Sequence, residues 1–405
     1  MTSKPTKGRD QARRHDATRG TYDRWLLLAI VALACFGVVM VTSSSIAVAD
    51  GEHIGAFYYL RRHLAFLLIG GGLMWVAARV ELRLVEKFHV LLVLTAILLL
   101  LAVYLPGVGM RINGARRWLN LGVTGFQPVE AVKLVVVIYI ASYLVRHRDG
   151  VEEKFFGAFK PVIIALLFAG LLLAQPDFGS ATLILAVSVG MIWLGGARMR
   201  YLMMMAASLV PVGVWVAFSQ DYRIQRLTSF LDPWKDPFAN GFQLTQALIA
   251  IGRGEWFGVG LGASVQKLFY LPEAHTDFIL AVIAEELGLF GVMVVLGLYA
   301  LLVSRGLIMG LRGVSIGQPF AGYLAFGISL MIGLQAMVSV GVNLGVLPTK
   351  GLTLPLISSG GSSVVMTCLM LGVLLRASYE VSRAEQQRSR GGARQHQAMA
   401  AEATA

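Results

Sequence analysis

Residues 278–303 read FILAVIAEELGLFGVMVVLGLYALLV, an apolar run broken by only Glu285 and Glu286. About 20 apolar residues cross the hydrocarbon core of a bilayer as a helix, so this run predicts a membrane span. Working outward, nine more runs qualify, at roughly 25–46, 63–79, 88–105, 129–145, 161–174, 180–196, 201–218, 321–345 and 359–375. Pro176 and Pro211 are expected to break or end helices. The fold class is therefore an all-α polytopic membrane protein of about ten transmembrane helices. One large loop, 219–277, separates spans seven and eight.

Composition agrees. Of 405 residues, 56% are hydrophobic and 14% charged, and mean hydropathy is +0.69, whereas soluble domains carry roughly 25% charged residues. The first apolar run follows some two dozen polar residues and is too long for a cleavable signal. Cys35 and Cys368 lie inside apolar runs, where thiols pack as small hydrophobes. The net charge is +12. With the N-terminus in the cytoplasm, the tails and the loops 79–87, 146–160, 197–200 and 304–320 carry 23 of the 35 Lys and Arg residues. The positive-inside rule then predicts that both termini are cytoplasmic and that loop 219–277 is outside. This scatter of charge excludes a nucleic-acid-binding face and leaves membrane lipid as the partner of the basic loops. Residues 1–24 read as a disordered basic tail, residues 25–375 as the membrane domain, and residues 376–405 as a second disordered tail.

Three outer segments depart from what an anchor needs. The first, 106–133, carries Arg111, Arg116 and Arg117, then Glu130 and Lys133 within the start of span four. Arginines here suit lipid headgroups, and Glu130 with Lys133 suits an (i, i+3) ion pair. Ionisable groups inside a span are nevertheless costly, by about 3 kcal/mol, which favours function. The second is 219–277, ending in LPEAHTD. Asp277 sits at the mouth of span eight, in helical register with Ala281, Ala284 and Gly288, while Glu285 falls to one side. Asp277 suits both a helix N-cap and chemistry, and the two are compatible. His275 has no second His or Cys nearby, so it reads as a hydrogen-bond partner and not a metal ligand. The third segment, GVNLGVLPTKGLTLPLISSGGSS at 341–363, holds Lys350 and Ser362. It serves as a turn or, through its hydroxyls and backbone N–H groups, as a seat for an anionic headgroup.

NGARRW (113–118), QPVEAVK (127–133), QPDFGSA (175–181), LPEAHTDF (271–278), AEELG (284–288) and LPLISSGGSS (354–363) occur in this order. The set resembles the SEDS family (shape, elongation, division and sporulation), and the LPEAHTD wording is more similar to its division-type than its elongation-type members. Val129, where a small residue is usual, and Ser359, where Tyr is usual, depart from the pattern. The resemblance implies a glycosyltransferase that polymerises lipid II outside the membrane, with polyprenyl diphosphate leaving. It also implies a class B penicillin-binding protein and other division-complex membrane proteins as partners, and it admits Mg or Mn as a cofactor. Asp277 matches the family's essential aspartate and is the expected general base. Arg116, Arg117, Lys133 and Lys350 are expected to meet diphosphate charge, with Glu130, His275, Glu285 and Ser362 also at the substrate. A lipid II flippase would instead place charges near the bilayer midplane in repeated halves. A silent scaffold would have little reason to hold Asp277 and Lys133 at the boundary.

Overall fold

The computed structural model describes residues 20–403 except 52, 113, 121, 123, 239, 240, 269, 349 and 350. The expected disorder of the N-terminal tail concerns, up to residue 19, a segment outside the described residues.

Eight helices among the described residues are long and apolar enough to cross a membrane, and two shorter apolar ones, His89–Ala102 and Phe178–Leu194, bring the set to the expected ten. In chain order the elements are α1 (Arg24–Gly51), α2 (Tyr58–Ala77), a short α3 (Leu82–Lys87), α4 (His89–Ala102) and strands β1 (Gly109–Ile112), β2 (Ala115–Asn120) and β3 (Gly125–Phe126). There follow α5 (Pro128–Arg146), α6 (Arg148–Glu153), α7 (Phe155–Ala174), α8 (Phe178–Leu194), α9 (Met199–Phe218) and α10 (Asp221–Leu231). A 3₁₀ turn (Pro233–Lys235), α11 (Phe242–Gly254), α12 (Ile279–Ser315), α13 (Pro319–Asn343) and α14 (Gly361–Ala403) complete the chain.

Helix α5 is the axis of the bundle. It is buried along almost its whole length, and α8, α13 and α14 pack around it. The rim helices α2 and α9 instead turn large apolar side chains outward, Leu68 and Trp215 among them. A helix apolar all round suits both places, because lipid is as apolar as a neighbouring helix.

Four features depart from expectation. Residues 109–126 form an antiparallel three-stranded sheet in the order β1-β2-β3, which the all-α expectation did not include. Pro211 lies inside α9 without ending it, as membrane helices tolerate when neighbours satisfy the freed backbone groups. Residues 376–403 continue α14 as one helix, so the expected disorder of that tail is corrected. Its Ala, Arg, Gln and Glu are strong helix formers, Arg376 pairs with Glu380 one turn on, and Thr21 bonds Ser382 at 2.9 Å.

The fourth departure shapes the site. Helix α12 is broken at Gly288, whose φ is +65° and ψ −165°, a conformation essentially confined to glycine. The peptide groups around the break pair with 255–260: Val259 N–H donates to Glu285 O at 2.9 Å and Leu289 N–H to Glu255 O at 2.9 Å. The 255–260 stretch of the long loop is thereby stitched into the side of α12.

Candidate functional site

Asp277 is one residue outside the helix-start position expected for a cap. The N-cap of α12 is Phe278, and no side chain caps there, so the capping reading of Asp277 is corrected. Its backbone is fixed from α13: Asn343, fully buried, donates from Nδ2 to Asp277 O at 2.9 Å and accepts at Oδ1 from Ala281 N–H at 3.1 Å. The preceding residues are tied to the third segment. Ser358 Oγ donates to Thr276 O at 2.7 Å, and Ser359 N–H donates to His275 O at 2.9 Å. Ser359 acts here through its backbone, so the departure from Tyr leaves that bond intact.

The carboxylate faces Gly351. A Cβ built on Gly351 would stand 3.2 Å from Asp277 Oδ2, so the glycine lets the backbone come close to the carboxylate. Burial first, and then the nearby Glu273 carboxylate, push the Asp277 carboxyl up to about 7, against the pull of Arg226. A carboxylate poised near neutrality is suited to taking a proton. The His275 ring packs against Tyr59 with centroids 4.8 Å apart.

Lys133 and Glu130 meet. Lys133 is wholly inside the bundle, its Nζ donating to Glu130 Oε1 at 2.8 Å and to Gln335 Oε1 at 3.0 Å. Gln335 in turn donates to Thr353 O at 2.9 Å, and Thr353 Oγ1 lies 2.9 Å from Ser363 Oγ. Ser362 is buried and accepts at Oγ from Gln127 N–H at 3.3 Å. The first and third segments are thus joined under the Asp277 loop, with Lys133 enclosed as an ion pair and not open to the surface.

Arg116 and Arg117 alternate along β2. Arg116 is exposed opposite Arg111 in the register. Arg117 turns inward, donating from Nε to Gln175 O at 2.8 Å and from Nη2 to Pro176 O at 2.5 Å. It lines a cavity with Asp177, Phe178, Arg223, Arg226 and Gly351. Lys350 lies outside the described residues.

Glu285, expected beside Asp277, is used differently. It is fully buried and accepts from Arg253 Nη1 at 3.0 Å, Val265 N–H at 3.1 Å, Gln266 N–H at 3.4 Å and Ser264 Oγ. Glu286 pairs with Lys267 at 2.6 Å and accepts from Ser43 Oγ at 2.7 Å. Glu285 therefore ties both Arg253 and 264–266 to α12, and Glu286 adds Lys267 together with Ser43 of α1. Sequence reading missed Gln335, Asn343, Arg223 and Arg226. The signal for the first two was a polar amide inside an apolar span; for the arginines, an (i, i+3) pair on an amphipathic helix. Among the described residues, no cluster of three or more His, Cys, Asp or Glu side chains converges as for a metal ion.

Residues 24–383 match the family model for cell cycle proteins of the FtsW, RodA and SpoVE type. A protein of Xanthomonas oryzae pv. oryzae named "Probable peptidoglycan glycosyltransferase FtsW" is 56% identical over 380 residues, covering 94% of this chain and 77% of that protein. One of the same name from Coxiella burnetii is 46% identical over 360 residues, 89% of this chain and 97% of that protein. Among solved structures, a chain from a peptidoglycan synthase complex that coordinates polymerization and crosslinking is similar, with a TM-score of 0.72 at 31% identity, covering 89% of this chain and 98% of that one. The rod shape determining protein RodA of Thermus thermophilus aligns with a TM-score of 0.64 at 29% identity, over 88% of this chain and 97% of that one. Fold, motif order and these likenesses agree: the chain belongs to the FtsW, RodA and SpoVE family of cell cycle proteins.

Proposed function

We propose that this multi-pass membrane peptidoglycan glycosyltransferase polymerises lipid II with Asp277 as general base, at the outer face of the cytoplasmic membrane and at the division septum. One observation carries the reading: a carboxylate with a carboxyl pushed up to about 7, held at the mouth of a span beside an arginine-lined cavity. In the step, a hydroxyl of the acceptor sugar attacks the anomeric carbon of the donor. Its proton passes to Asp277, and the bond to polyprenyl diphosphate breaks with the electron pair leaving on the phosphate oxygen. With one carboxylate as base, a single displacement inverts the anomeric centre, by analogy with inverting glycosidases.

Arg116, Arg117 and Lys350 supply charge for the diphosphate. The Lys133–Glu130 pair supports the floor, with Ser362 tying 127 to the third segment, His275 setting the loop against α2, and Glu285 anchoring 253–267. A divalent cation of the Mg or Mn kind would be carried by the substrate's own phosphates and would supply further neutralisation of the leaving group, with Asp277 kept as the base. The orientation is supported by Arg305 and Ser382, far along α12 and α14 from the site, which bond Asp23 and Thr21. Residues 21–23 and 382 then share the end away from Asp277, which is the proposed cytoplasmic end. A class B penicillin-binding protein and other division membrane proteins are the proposed partners.

Purified protein with labelled lipid II, with and without the penicillin-binding partner, tests the reading. Glycan strands that lengthen when the partner is added are expected. Lipid II that crosses vesicle membranes without polymerising would instead make the chain a flippase, and neither activity would leave it a scaffold.

A further inference from the structure

The leaving diphosphate needs cations, and Lys133 is shut away behind Glu130 and Gln335. A different set lies open. Arg117 from β2 and Arg223 and Arg226 from α10 line one cavity, with Asp177 at the α7–α8 turn and Gly351 on another wall. Gly351 is the residue whose backbone the Asp277 carboxylate faces, so cavity and base share a wall. The one carboxylate lining the cavity, Asp177, accepts at Oδ1 from Ser180 N–H at 3.1 Å and caps α8. Three guanidinium groups therefore line the cavity with a carboxylate that already caps a helix, and Arg226 also stands close enough to pull on the Asp277 carboxylate. Arg117 is oriented by two carbonyls, neutral acceptors that aim the group without cancelling its charge. Arg223 donates from Nη1 to Val216 O at 2.6 Å and lies over the Phe178 ring at 5.8 Å. Arg226 follows three residues on, on the same helix face, and is exposed.

We infer that Arg223 and Arg226, with Arg117, form the seat of the donor's diphosphate. The inference rests on the glycosyltransferase reading and names the residues that receive its leaving group. Planar guanidinium forks match phosphate oxygens in pairs. The charge that develops as the anomeric C–O bond breaks then arrives among donors already in place. A displacement needs base and leaving group on opposite sides of the reacting carbon, and a carboxylate and a cation cavity meeting at Gly351 provide for both.

Arg223 also secures the end of α9, so Arg226 gives the cleaner test. Full-length protein in detergent is titrated calorimetrically with farnesyl diphosphate, farnesyl monophosphate and farnesol. A charged hydrogen bond is worth enough that Arg226→Gln is expected to raise Kd for farnesyl diphosphate about tenfold, with farnesol unaffected. Arg226→Lys keeps the charge but not the fork and should recover part of the loss. In lipid II polymerisation Arg226→Gln should lower kcat/KM about as much, with melting temperature unchanged. An unchanged Kd in Arg226→Gln, or a wild type that binds farnesol as tightly as the diphosphate, overturns the seat. If Asp277→Asn is inactive in that case, the polymerase reading survives alone. Diphosphate binding that depends on Arg226 in a wild type that makes no polymer upholds the seat and removes the polymerase reading.

Discussion

Replacing Lys133 by methionine keeps the length of the side chain and strips the cation from Glu130, a carboxylate only 5% exposed. Glu130 Oε2 already has no hydrogen-bond partner, so the charge left behind is poorly met. Removing one member of a buried ion pair costs about 3–5 kcal/mol. Gln335 Oε1 also loses the donor it has at 3.0 Å, for about 1 kcal/mol more. The single variant should therefore lose roughly 4–6 kcal/mol. The double variant Lys133→Met/Glu130→Gln leaves no charge and should lose only about 1–2 kcal/mol in hydrogen bonds. The order is thus inverted: two substitutions do less harm than one, by about 3 kcal/mol. Reversible unfolding in mixed micelles by SDS titration measures both, and lipid II polymerisation is read on the same preparations. A Lys133→Met protein within about 1 kcal/mol of wild type that has nevertheless lost polymerisation would refute the structural assignment and put the ammonium at the substrate.

Four further outcomes follow from the structure. The Asp277 carboxyl ionises at about 7 in place of 3.8, so polymerisation should rise from pH 6 to pH 8 with a midpoint near that value; a rate that falls over this range removes the base. By linkage the raised carboxyl stabilises the fold at low pH and loses that contribution as pH climbs through about 7. Asp277→Asn should then be more stable than wild type at pH 8, by at most roughly 4 kcal/mol, in the same SDS titration. Gly288→Ala would set a Cβ 2.4 Å from Gly258 N and 2.5 Å from Phe257 N, so the 255–260 stretch should detach, with proteolysis near Trp256 and loss of polymerisation; an active, protease-resistant variant counts against the stitched break. In a Cys35→Ser/Cys368→Ser background, an impermeant thiol reagent should label Phe238→Cys in intact spheroplasts, and labelling of Gly150→Cys instead would reverse the orientation.

The ten spans were legible because bilayer thickness imposes a length on every apolar run, and a run of twenty needs no partner to be recognised. What surrounds the site needed contacts between distant residues. Arg117 and Lys133 both looked like outward cations, yet only the fold separates the one at a cavity from the one sealed by Gln335, two hundred residues away. Asp277 looked like a cap because Asp caps helices well, and the helix starts one residue later than that role requires. Glu285 reads as lying to one side of a small-residue stripe, next to Glu286. The break at Gly288 turns them into anchors for 253–267, a pairing that periodicity does not encode. The small sheet at 109–126 is not legible because ARRWLN sets two arginines and then two apolar residues side by side, without the period-two alternation that marks a strand. The tail after 376 was judged by its polarity, although its residues favour a helix and its first turns have α1's leading segment to pack on.

The central claim is that one carboxylate at the mouth of α12 moves the proton of glycan-strand synthesis. Asp277→Asn keeps the size of the side chain and, with no cap to lose, should leave the fold intact. General-base assistance is worth about 10²–10⁴-fold, and acceptor positioning goes with it. Strand synthesis from labelled lipid II, measured with the penicillin-binding partner bound and the melting temperature recorded on the same sample, is the direct test. A folded, partner-binding Asp277→Asn protein slowed at least about a hundredfold is the predicted result. The same protein polymerising lipid II at close to the wild-type rate would contradict it.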